Sequence, residues 1–84
     1  MNCCIYRSRK KQGSYLYVTE KNNFSNVPKD LIKLFGSPEF VFEFELTENK
    51  KLAQSNAKDV MQHLRENGFF LQMPPPDEHI QATT

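Results

Sequence analysis

Phe69-Phe70-Leu71-Gln72-Met73-Pro74-Pro75-Pro76 drives an apolar strand straight into three consecutive prolines. Proline has no backbone N–H, so a run of prolines cannot continue a sheet ladder. The segment therefore predicts a closing strand over Phe69–Met73, after which the chain leaves as a polyproline II rod. Two readings of that rod compete. Pro74, Pro75 and Pro76 form either a preformed docking segment for a protein partner or a stop that protects the sheet edge from further pairing. The structural reading is preferred.

The remaining strands follow from patterning. Asn2–Arg7 is apolar, with β-branched and aromatic residues, and predicts a strand. Arg9-Lys10-Lys11-Gln12-Gly13-Ser14 is a polar turn, and Tyr15–Thr19 has high β-propensity, so the two segments predict an antiparallel hairpin. Tyr15 and Tyr17 share one face, Leu16 and Val18 the other. In Phe40–Leu46, alternation places Phe40, Phe42, Phe44 and Leu46 on a core face, with Val41, Glu43 and Glu45 opposite. The two glutamates there read as a solvated face, because no third catalytic partner accompanies them.

Two helices are expected. Pro28 suits the first turn of one, whose apolar positions are Val27, Leu31, Leu34 and Phe35 with Ile32 beside them, and Gly36 ends it. Ser55 or Asn56 caps the second, which runs to about Asn67 with Ala57, Val60, Met61 and Leu64 as its stripe, and Gly68 ends it. His63 falls off that stripe and reads as exposed. A last helical turn fits Pro76–Gln81, with Asp77 and Glu78 near its N-terminus.

The elements predict one domain over residues 1–80 and a frayed tail at 81–84. The fold class is α/β (α+β), a small mostly antiparallel sheet with short helices on its faces in the order ββαβαβ. Eighty-four residues bury only roughly 60–65% of the unfolded chain's surface, so ten aromatic residues, seven of them Phe, must supply much of the core. No apolar run is long enough to span a membrane. Met1 reads as a natural start without a secretory pattern, which makes the cytoplasm the expected location. Cys3 and Cys4 are adjacent, so on a strand they point to opposite faces and cannot easily bond to each other. They read as buried small hydrophobes. With His63 and His79 they show no metal-ligand spacing, and neither a metal nor another cofactor is expected.

Cys3-Cys4-Ile5-Tyr6-Arg7-Ser8, Tyr15-Leu16-Tyr17-Val18, Val27-Pro28-Lys29-Asp30-Leu31, Lys50-Lys51-Leu52 and Gly68 through Pro76 together resemble the bacterial YcgL domain family. No one piece is specific; their order and spacing are. The resemblance covers residues 1 to about 80. Phe40–Leu46 is more polar than the family pattern and the tail is shorter. The resemblance implies an α/β/α sandwich. It implies no activity, so no functional residue is carried over from it.

Charge bears on function. The net charge is +1, but residues 1–36 hold seven Lys/Arg against two acids, net +5, and residues 37–84 four against eight, net −4. Such polarity can steer an anionic partner, unless the fold brings the halves together. The leading expectation is a non-catalytic binding or adaptor module, monomeric or weakly oligomeric, with a protein partner of unspecified identity. The alternative is RNA or another anionic ligand, held by Arg7, Arg9, Lys10 and Lys11 at the hairpin loop with Tyr15 and Tyr17 as stacking rings. The third reading is a thiol enzyme, with Cys3 or Cys4 as nucleophile and His63 or His79 as base. It lacks support from any glycine-rich phosphate loop, metal cluster or nucleophile elbow.

Overall fold

The computed structural model describes residues 1–52 and 56–74. Its elements are β1 (Asn2–Arg7), β2 (Tyr15–Val18), α1 (Lys29–Phe35), β3 (Glu39–Glu45), α2 (Ala57–Asn67) and β4 (Phe69–Gln72), the expected ββαβαβ order. The strands form one antiparallel sheet in the order β3-β1-β2-β4. Ser55, Pro75, Pro76, His79 and the proposed turn at Pro76–Gln81 lie outside the described residues.

Strand alternation divides the core into two layers. On one face Cys3, Ile5 and Tyr17 pack with Leu46 and with Ala57, Val60, Met61 and Leu64 of α2. On the other, Cys4, Tyr6, Leu16 and Val18 pack with Val27 and with Phe35 of α1. The helices thus cover opposite faces, and the adjacent cysteines serve different layers, each fully buried. Burying a Leu or Val side chain contributes roughly 1.5–3 kcal/mol, so Val60 and Leu64 are principal anchors of α2.

Local chemistry sets the ends of the elements. The Asn56 side chain accepts from the Lys58 N–H at 2.8 Å and caps α2, satisfying a donor that the first turn leaves open. Gly68 ends α2 in the left-handed conformation at φ 84°, and a Cβ there would lie 2.5–2.7 Å from atoms of Asn26. The hairpin is fixed at its neck: Ser8 N–H donates to the Ser14 carbonyl at 3.0 Å, and the Ser8 hydroxyl donates to the Phe35 carbonyl at 2.5 Å. That second bond ties the loop to the end of α1.

Two expectations need correction. β3 does not present Phe40, Phe42, Phe44 and Leu46 on one buried face. The register against β1 shifts between Ile5 and Tyr6: Ile5 pairs with Phe42, but Tyr6 pairs with Phe40, leaving Val41 as an extra residue. This bulge reverses the alternation. Phe40 therefore joins the α1 face, with its ring 5.5 Å from that of Tyr6, while Phe42 and Phe44 share the α2 face. Phe40, Val41 and Phe42 are all exposed, because β3 is an edge strand. The second correction concerns Leu34. It belongs to the helical spacing of α1 but is 65% exposed, since a two-turn helix presents only Leu31, Ile32 and Phe35 to the sheet cluster.

Pairing β3 with β1 also joins the acidic half of the chain to the basic half. Glu39 forms ion pairs with both Arg7 and Arg9. Part of the charge asymmetry along the chain is thus offset at that end of the sheet. Among the described residues no helix is long and apolar enough to cross a membrane.

Candidate functional site

The residues expected to form an anion site do not converge. Arg7 and Arg9 both reach Glu39, whose carboxyl is held below the usual carboxylate range chiefly by its hydrogen bond from Arg7, with Arg9 adding to it. Lys10 lies along Gly36 and its Nζ donates to the Lys33 carbonyl at 3.3 Å. Lys11 sits on the α1 side of the sheet, beside Ser14 and Leu71. Tyr17 is buried and its hydroxyl donates to Gln72 at 3.1 Å, so its ring is not open for stacking. Tyr15 is half-buried and faces the α2 side. Pro74 is exposed and sits against Gly13, whose φ of 91° and close approach to Pro74 leave no room for a Cβ. That contact holds Pro74 against the hairpin turn.

A different surface gathers rings and cations. α2 packs against β4 and the rows containing Cys3 and Tyr17. The last row of the same face, where Arg7, Tyr15 and Gln72 stand across from one another, is beyond its reach. The uncovered area is an open groove of about 510 Å³ with Ile5 and Tyr17 in its floor. Tyr15 and Gln72 line one side, Val41, Phe42 and Phe44 the other, and Lys50, Lys51 and Leu52 close the end. Phe42 is 47% exposed, and its ring lies 5.3 Å from that of Phe44 with the planes tilted by 32°. The Lys50 ammonium stands 5.1 Å from the Phe44 ring centre, within the range of a cation–π contact.

The alternation of β3 places both Phe42 and Phe44 in the core; Phe44 does pack on the α2 cluster, whereas Phe42 is exposed, and Lys50 and Lys51 are not among the expected site residues. A signal was present: Glu39, Glu43 and Glu45 on a single strand, preceded by Pro38, are the marks of a protected sheet edge. An edge strand beside a short helix leaves its apolar face open.

The cysteines are remote from any such surface. Burial pushes the Cys3 thiol up to about 12 from its ordinary 9.0, and burial with a hydrogen bond to Glu43 raises Cys4 as well. A buried, protonated thiol is a poor nucleophile. His63 is exposed on α2, with its ring stacked 5.1 Å from Phe70. No group of three or more metal-ligating side chains occurs among the described residues.

The sheet, with a helix on each face and the hairpin tied to α1, agrees with what the sequence comparison finds. The family model described as YcgL domain matches residues 3–75. The chain belongs to the YcgL domain family. A YcgL domain-containing protein of Vibrio cholerae is 49% identical over 80 residues, which is 95% of this chain and 86% of that protein. One from Pectobacterium carotovorum is 47% identical over 83 residues, 99% of this chain and 98% of its own length. A third, from Mannheimia succiniciproducens, is 46% identical over 80 residues, 95% of this chain and 78% of that protein. These names specify a domain rather than a reaction, so the YcgL assignment leaves function to the chemistry of the surface.

Proposed function

We propose that this YcgL domain is a non-catalytic binding module whose contact surface is the open groove on the α2 face, and that its partner is single-stranded nucleic acid, RNA first. The observation that carries this reading is the exposed Phe42 ring set against the partly buried Phe44, with Lys50 above the Phe44 ring and Lys51 lining the same groove. An exposed phenylalanine on an open groove in an 84-residue domain is a poor use of a scarce core residue unless something covers it. Bases stack on aromatic rings with roughly 1–3 kcal/mol each, and lysines at the rim neutralise phosphates. Tyr15 lines the same groove, and its cross-strand neighbour Arg7 extends the contact path towards the hairpin. Arg9, which shares Glu39 with Arg7, is the next cation along that path, whereas Lys10 and Lys11 lie towards α1, outside the contact.

Binding of a labelled oligouridine, followed by fluorescence anisotropy across a salt series, tests this. Affinity should fall with salt, with a slope of about −0.7 for each phosphate neutralised. Lys50→Ala with Lys51→Ala should weaken binding about tenfold or more and flatten that slope by about one unit per lysine. Lys10→Ala with Lys11→Ala should change affinity by less than about threefold, since neither side chain lines the groove. Salt-insensitive binding, or equal loss in the two double variants, contradicts the reading. If a polyglutamate peptide binds the groove and oligouridine does not, the module recognises acidic peptides instead.

A further inference from the structure

On the opposite face, the end of α1, the hairpin neck and the end of β4 enclose a second concavity of about 140 Å³. Its body is apolar, formed by Leu31, Leu34, Phe35, Leu71 and Met73. Leu34 and Met73 form an exposed rim, 65% and 46% accessible. Its polar end comes from the hairpin, through Ser14 and Lys11. Ser14 is only 1% exposed, and its hydroxyl is the one buried side-chain polar atom among the described residues without a hydrogen-bond partner. An unpaired buried hydroxyl is unfavourable for folding. An alanine would avoid that at a position whose backbone is already held at both ends, by Ser8 N–H to the Ser14 carbonyl and Ser14 N–H to the Lys11 carbonyl, both at 3.0 Å.

We infer that this notch is a binding site for a small monocarboxylic acid with an apolar body about the size of one ring. The Ser14 hydroxyl would donate to one carboxylate oxygen and the Lys11 ammonium would pair with the head group, while the apolar body lies between Leu34, Leu71 and Met73. Three features select this class. The volume matches that of an apolar cavity of about 150 Å³ that admits benzene, and is too small for a nucleotide or a drug-sized ligand. The lining is almost wholly apolar, which excludes a sugar or an inorganic ion. The two polar groups, a donor hydroxyl and a cation on the same loop, sit together at one end and match an anionic acceptor. The site is preorganised, because the Ser8 hydroxyl fixes the loop to α1 by donating to Phe35 and accepting from the Lys11 N–H at 2.8 Å. It is independent of the groove, which lies across the sheet.

Titration of the isotopically labelled protein with sodium benzoate, followed by amide shifts, tests the inference. Saturable shifts should centre on Ser14, Leu31, Leu34 and Leu71, with a dissociation constant on the order of 1 mM for so small a ligand. Ser14→Ala should weaken benzoate binding about tenfold and also raise the melting temperature of the free protein by about 4–8 °C, by removing an unpaired hydroxyl. Lys11→Gln should weaken benzoate but leave binding of benzyl alcohol unchanged. Absence of saturable shifts at these residues overturns the inference. So does benzoate binding that Ser14→Ala leaves intact, or a Ser14→Ala protein that melts lower than the parent.

Discussion

Cys3 and Tyr17 face the α2 layer and Cys4 the α1 layer, and burial raises the pKa of all three. The sign of the pH effect follows. A thiol at about 12 in the native chain and 9.0 when unfolded keeps its proton only while folded, so the unfolded state binds fewer protons above pH 9.0 and stability falls with rising pH. Cys4 and Tyr17 act in the same sense. The urea midpoint should be level near neutrality and decline steadily between pH 9.0 and about 12. Thiol titration should be slow in the native state and complete on unfolding. A native thiol that reacts at the free-cysteine rate would revive the nucleophile reading. Glu39 behaves oppositely: its lowered value means that its contribution is present above the ordinary 4.5 and is lost as pH falls through the folded value. Because exposed ion pairs add little stability, Glu39→Gln should leave melting nearly unchanged. It should release Arg7 and Arg9, strengthening oligouridine binding several-fold and steepening its salt slope by about one unit. Unchanged affinity in Glu39→Gln would place both arginines outside the contact.

At the scale of elements, the sequence was most legible where local chemistry and burial agree. The Gly68 stop and the Val60–Leu64 stripe identify α2 and narrow its cap to Ser55 or Asn56, of which Asn56 is the one that caps, and the hairpin follows from two strands around a short polar turn. Gly68→Ala should destabilise the fold by about 1–2 kcal/mol through its positive φ alone, and by more through contact with Asn26. Asn26→Gly should restore only the excess, which chemical denaturation of the two single variants and their double variant separates. Equal stability of Gly68→Ala and the parent would contradict this assignment of the α2 terminus. β3 was less legible. Its Phe/Glu alternation is real, but one extra residue at Val41 reverses the phase, and strict period-two reading has no means of seeing a bulge. α1 hid Leu34 for a related reason: helical spacing marks a stripe, but how wide a stripe the neighbour covers depends on tertiary packing.

The described residues form a four-stranded sheet with two helices, each too short to cover the face it occupies. α2 leaves the groove between Tyr15 and Phe42 open, and α1 leaves the notch under Leu34 and Met73. These two openings, neither readable from spacing because each depends on where a helix stops relative to strands distant in sequence, are the two proposed binding sites. The candidate anion site shows the same limit. Arg7, Arg9, Lys10 and Lys11 are neighbours in sequence, yet Glu39 recruits two of them while the others turn towards α1. The lysines that line the groove, Lys50 and Lys51, come from a different loop. Nucleic acid held on the groove face would show itself in a map of amide shifts on addition of unlabelled oligouridine. Saturable, salt-sensitive shifts are expected at Ile5, Tyr15, Phe42, Phe44, Lys50 and Lys51, with Leu31, Leu34 and Leu71 unmoved. Shifts centred on α1 and the hairpin tip, or none at low salt, would contradict it.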